Sequence, residues 1–111
     1  MNIEKFREII KEREYVDTIS CGEWSEKIEE CQKQEKEILI EDISSTILFL
    51  KNDCTAEEYS WISEIIEDIA EATKSEELVK AYKELLLKYP EESAKYHIAE
   101  RTEYLDELIN G

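Results

Sequence analysis

The chain has 111 residues, with 29 acidic and 14 basic side chains giving a formal net charge of −15 at neutral pH. That length fits a single domain over residues 1–111. The charge argues against direct contact with nucleic acid or an anionic membrane and favours fast, salt-sensitive encounter with a basic protein. With 39% charged residues the chain could be disordered if its 41% hydrophobic residues were unpatterned, but they recur at helical spacing and make it globular.

Two glycines and one proline leave little punctuation for hairpins, so the economical architecture is all-α. Short connections predict a compact array of about five to six antiparallel helices, joined as helical hairpins, with no significant sheet. A first helix is expected from Ile3 to about Glu14, with Asn2 as N-cap and Ile3, Phe6, Ile9 and Ile10 facing inward. Ser20 and Glu23 form a candidate capping box around Gly22, followed by a helix on which Trp24, Ile28, Cys31 and Ile38 recur. The third segment, from about Leu39 to Lys51, carries Ile40, Ile43, Ile47 and Leu50 on one stripe with Leu48 and Phe49 beside it. Helix is preferred there to the buried strand that Thr46 to Leu50 also allows.

The stretch from Thr55 to Thr73 organises the rest. Thr55 and Glu58 have the spacing of a capping box. In the helix this starts, Tyr59, Ile62, Ile66, Ile69 and Thr73 share one face, opposite Glu57, Glu64, Asp68 and Glu71, with Trp61 on the border. No basic residue lies between Lys51 and Lys74, so this polar face cannot neutralise itself within its own helix.

A further helix opens at Ser75 and carries Leu78, Val79, Tyr82, Leu85, Leu86 and Tyr89. Pro90 ends it and, with Glu91 and Glu92 behind, begins the next. A stripe of Ala94, Ile98, Thr102, Leu105 and Ile109 continues to the C-terminus with a break near His97. The residues expected to be buried are Ile43, Ile47, Ile62, Ile66, Ile69, Tyr82, Leu85 and Leu105. Trp24, Phe49, Tyr82 and Tyr89 are assigned to the core by their stripe positions.

Chemistry has little to work with. The single histidine, His97, has Ala94 rather than Glu three residues before it, which excludes the paired Glu-x-x-His of a di-iron bundle. There is no EF-hand or phosphate-binding loop. Cys21, Cys31 and Cys54 lack CxxC spacing and read as buried thiols, and His97 as a structural residue at a helix junction. No catalytic, cofactor-binding or metal-binding residue is therefore assigned, no cofactor is expected, and a small-molecule ligand is not anticipated. The N-terminal MNIEKFREIIKERE lacks the features of a leader, and no apolar run approaches the ~20 residues of a membrane span. The expected location is the cytoplasm. Anionic charge edged by an aromatic residue is the composition of a protein-binding face, and Glu57, Trp61, Glu64, Asp68 and Glu71 are its candidate partner-binding residues.

The segments TAEEYSWISEIIEDIAEAT and SEELVKAYKELLLKYPEESAKYHI resemble the central and C-terminal part of small all-α immunity proteins of contact-dependent growth inhibition and related polymorphic toxin systems. The resemblance covers roughly Ile40 to Ile98; its most distinctive pieces are Glu57 to Trp61 and Lys88 to Glu91. It implies a bacterial, non-enzymatic inhibitor that binds the C-terminal domain of a toxin, often a nuclease. A nuclease that grips a phosphate backbone is basic at its groove, and an acidic helical face suits such a groove. The alternative is an acidic interaction protein of another kind, a nucleic-acid mimic or a regulatory subunit.

Overall fold

In the computed structural model, which describes residues 1–20 and 23–110, every regular element is a helix and no strand occurs among the described residues. The order is α1 (Ile3–Ser20), α2 (Ser25–Glu41), α3 (Ile43–Asn52), α4 (Ala56–Ile62), α5 (Ile66–Thr73), α6 (Glu76–Lys88), α7 (Pro90–Tyr96), α8 (Ile98–Thr102) and α9 (Leu105–Asn110). The all-α expectation holds. The segments outnumber the expected five or six because two long stretches are broken.

The first break falls in the organising stretch. Its start is as expected: Thr55 Oγ1 accepts from the Glu58 amide at 3.1 Å, and Glu58 Oε1 accepts from the Thr55 amide at 3.0 Å. At Ser63 the helix tightens. The Ser63 amide is shared between Tyr59 O and Ser60 O, and the Glu64 and Ile65 amides reach back only three residues, to Trp61 O and Ile62 O. This single tight turn separates α4 from α5, yet Tyr59, Ile62, Ile66 and Ile69 all remain buried. The second break is at His97, in the left-handed conformation at φ 55°, which ends α7 as the break near that residue foretold. A further turn at Glu103 and Tyr104 separates α8 from α9.

Other boundaries need correction. α1 runs on to Ser20 rather than stopping near Glu14, because the buried stripe Phe6, Ile9, Ile10 continues through Arg13 to Val16. Asn2 does cap it, Oδ1 accepting from the Lys5 amide at 3.0 Å. Ser20 belongs to α1, its hydroxyl donating to Val16 O at 2.6 Å, so it opens no capping box; Gly22 lies outside the described residues, and α2 starts at Ser25. Asp42 caps α3 through the Ser45 amide, which leaves Leu39 and Ile40 on α2. The α3 phase is also rotated. Thr46, Phe49 and Leu50 are buried, Ile43 and Ile47 are only half-buried, and Leu48 is exposed. Thr46 can sit inside because its hydroxyl donates to Leu39 O at 2.7 Å. Near the C-terminus Ser93 is buried in place of Ala94.

α1 and α2 form one antiparallel hairpin, α3 packs on α6, α5 packs on α2 and α9, and α4 packs on α7. The core between them is joined by an edge-on Phe6–Phe49 pair with centroids 5.6 Å apart and by Tyr59 against Tyr82 at 5.1 Å. Two tyrosine hydroxyls end on backbone carbonyls of the central segment: Tyr82 donates to Tyr59 O at 2.9 Å and Tyr89 to Cys54 O at 2.6 Å. Arg7 donates from α1 to Glu58 Oε2 at 2.8 Å and to Asp53 O at 3.1 Å, so the capping carboxylate of α4 is also a long-range tie. Cys31 and Cys54 are buried as expected, and Cys21 lies outside the described residues.

Ile66 is 1% exposed at the centre of this packing. Ile66→Ala is expected to lower unfolding free energy by about 2 to 5 kcal/mol, seen in denaturant titration as a lower midpoint with unchanged slope.

Candidate protein-interaction face

The five partner-binding candidates lie along α4, the tight turn and α5, in front of the α1–α2 hairpin. Glu57, Asp68 and Glu71 are exposed, and Trp61 is half-buried with one edge against the core. Glu57, Trp61, Glu64 and Asp68 each lie against a residue of α1 or α2, which brings these four together along the hairpin, while Glu71 is exposed further along α5. The structure does not leave the strip wholly uncompensated, because cations arrive from helices distant in sequence.

Glu64 is the most heavily bound. Arg13 grips it as a fork, Nη2 to Oε1 at 2.8 Å and Nε to Oε2 at 3.2 Å, and Gln32 donates to Oε2 at 3.2 Å. Arg13 is only 5% exposed. Its guanidinium also lies over the Trp61 ring, 4.9 Å from the centroid, a stacking geometry that adds attraction between a cation and an indole face. The Trp61 Nε1–H donates to Glu14 Oε1 at 3.1 Å, which fixes the ring edge. Asp68 meets Lys36 of α2 at 3.2 Å. Neither acid is paired with the lysines of the next helix, where Lys83 instead meets Asp106 at 2.7 Å. Glu57 and Glu71 have no cationic partner among the described residues. The neighbouring Glu57 carboxylate, helped by partial burial, holds the Glu14 carboxyl above its ordinary value.

Behind this layer sits a residue that the sequence reading passed over. Glu35 of α2 is fully buried, and neither carboxyl oxygen has a hydrogen-bond partner. Loss of solvent pushes its pKa up to about 8, the nearby Glu64 charge pushes it the same way, and Arg13 pulls it partly back. Arg13 and Glu35 were both visible as charged residues on otherwise apolar stripes. Arg13 follows Ile9 by four residues, and Glu35 follows Cys31 by four and precedes Leu39 by four. In the fold the two do not pair: Arg13 is taken by Glu64, and Glu35 is left without a hydrogen-bond partner.

Trp24, expected in the core, is 45% exposed beside the α1–α2 turn. His97 is an exposed helix cap 3.7 Å from Glu100. Burial pushes the Cys31 thiol up and the Cys54 thiol up to about 12, so neither is a thiolate nucleophile near neutral pH. Among the described residues no three His, Cys, Asp or Glu side chains gather as a metal site, and no helix is long and apolar enough to cross a membrane.

No family model, curated protein or solved structure matches the chain.

The buried Glu35 sets a pH dependence. In the unfolded chain it releases its proton near the ordinary ~4.3, whereas in the fold it keeps it to about pH 8. Between those values the folded state holds the extra proton, so this group's contribution to stability is complete below the unfolded pKa, falls as pH rises and levels off above the folded pKa. Glu35→Gln should match the wild type near pH 4 and exceed it by on the order of 4 to 5 kcal/mol at pH 8. Chemical denaturation at the two pH values measures the difference.

Proposed function

We propose that the chain is a non-enzymatic, cytoplasmic immunity protein that binds and neutralises a basic toxin domain, of nuclease type, through the acidic face of α4 and α5. The resemblance carried by Glu57 to Trp61 and Lys88 to Glu91 supports this reading, as does the net charge of −15. The observation that carries it furthest is the state of Trp61. Its ring is half-buried, stacked by Arg13 and hydrogen-bonded by Glu14, while exposed carboxylates lie on both sides of it along the face. An aromatic side chain already held in place loses little conformational freedom on docking, and surrounding like charge speeds encounter with a basic groove. The acids act on the rate of association and the indole on the lifetime of the complex.

The structure also dictates which variants test this. Reversing Glu64 or Asp68 would break the ties to Arg13 and Lys36 and confound binding with folding. Glu57 and Glu71 carry no such ties. The double variant Glu57→Lys, Glu71→Lys should retain the wild-type melting temperature and slow association with the co-purified product of the neighbouring upstream reading frame by about ten-fold or more at low salt. Trp61→Ala should cost at least ~2 kcal/mol of affinity for the same protein. Unchanged association by the double variant would remove the face from the interface, and absence of any complex with that product would remove the function.

A further inference from the structure

Three parts of the chain meet at Arg13. Its Nε and Nη2 go to Glu64 at the α4–α5 turn, its Nη1 reaches Asp17 one turn along α1 at 3.4 Å, and the guanidinium covers Trp61. Gln32 of α2 donates to the same Glu64 carboxylate at 3.2 Å, which brings α2 into the cluster. One turn further along α2 stands Glu35, fully buried and with both carboxyl oxygens unpartnered. The three acids differ in their access to water. The Asp17 side chain is 49% exposed and that of Glu64 27%, whereas Glu35 is shut off completely.

We propose that Glu35 is a positioning residue for Trp61, a proton-operated latch: neutral Glu35 leaves Arg13 on Glu64 and over the indole, and ionised Glu35 draws the guanidinium away from both. The order of preference follows from hydration. A carboxylate inside the fold without a hydrogen bond must gain a cation or part the helices around it. Arg13 is the buried cation of this cluster and the one whose charge Glu35 feels. Lys36, next to Glu35 in sequence, is engaged by the exposed Asp68 of α5, and α3, which also packs on α2, carries only Lys51, exposed near its C-terminal end. On α2 itself the Cys31 thiol is buried and held neutral. Glu64 can release its cation because it keeps Gln32 and part of its water, and the long contact to the half-exposed Asp17 is a weak rival. With the Glu35 step at about pH 8, the latch is closed at neutral pH and opens as the proton passes to the solvent. Opening uncovers the indole, and the effect of this on binding rests on the protein-binding reading of the α4–α5 face.

The test follows the Trp61 ring C–H signals and the Glu35 carboxyl carbon of the isolated full chain by NMR, from about pH 6 to about pH 9.5. Both should move in one step with a common midpoint of about 8, while the methyl signals of Ile62, Ile66 and Ile69 stay in place. Glu35→Gln, which keeps every other ionisable group, should hold the Trp61 ring still across the range. Glu64→Gln removes both the competing acid and its charge and should move the step down by about half a pH unit or more. The latch is overturned by the absence of a step, by Glu35 titrating while the ring stays still, or by a ring step that survives Glu35→Gln. An unmoved midpoint in Glu64→Gln, or collapse of the core methyl signals at the same pH, would overturn it as well. A complex with the upstream product should dissociate about three-fold faster or more at pH 9 than at pH 7, and Glu35→Gln should remove that difference. Equal acceleration in both proteins overturns control of the face by Glu35. Absence of any complex removes the immunity reading and leaves the latch, which is read on the chain alone.

Discussion

The contact on which the rest depends is the fork of Arg13 on Glu64. It joins α1 to the tight turn between α4 and α5 across 51 residues of sequence, and it does so with a guanidinium almost fully removed from water. Such a pair is not by itself a source of stability, since two ions lose their hydration to form it. Breaking one side, however, leaves the other charge stranded. What the pair secures is position. With Arg13 in place the Trp61 ring has a lid, Glu14 is aligned to receive the indole proton, and the α4–α5 corner has one orientation relative to the hairpin.

This arrangement explains why the face is both acidic and ordered. Seven acids between Lys51 and Lys74 would repel one another along a lone helix. Arg13 and Lys36 relieve the middle of the strip from behind, while Glu57 and Glu71 remain uncompensated toward its two ends. The turn at Ser63 to Ile65 also bends the strip, which places Trp61 beside a concavity rather than on a straight cylinder. Charge that steers and an indole that holds are thereby carried by different residues on one surface.

Much of this was legible in the residues. The capping box at Thr55, the cap at Asn2 and the helix start at Ser75 follow from side chains that satisfy amides a few residues away, a local matter that sequence states directly, although the same reasoning failed at Ser20. The buried phase of Ile62, Ile66 and Ile69 followed from periodicity. The other failures were tertiary. Ser63 is no helix breaker by propensity, and its turn exists because the hydroxyl and amide find partners in the preceding turn while Ile65 and Ile66 both enter the core. Thr46 displaced Ile47 from the interior because Leu39 O was there to accept its hydroxyl. Lys36 and Arg13 could not be assigned to Asp68 and Glu64 without knowing that the hairpin lies behind the strip. The face does not neutralise itself within its own helix, and its compensation at Glu64 and Asp68 comes from the hairpin.

The solitary acid in α2 has a consequence that reaches beyond its pocket. Because Glu35 stays protonated in the fold and ionises when the chain opens, folding at neutral pH takes up a hydrogen ion from the solvent. The folded particle is accordingly about one unit less anionic than its formal −15. Calorimetric enthalpies of folding will carry the ionisation heat of whatever buffer supplies that ion. The long-range field met by an approaching basic surface is set by titration states inside the molecule as well as by the acids on its skin.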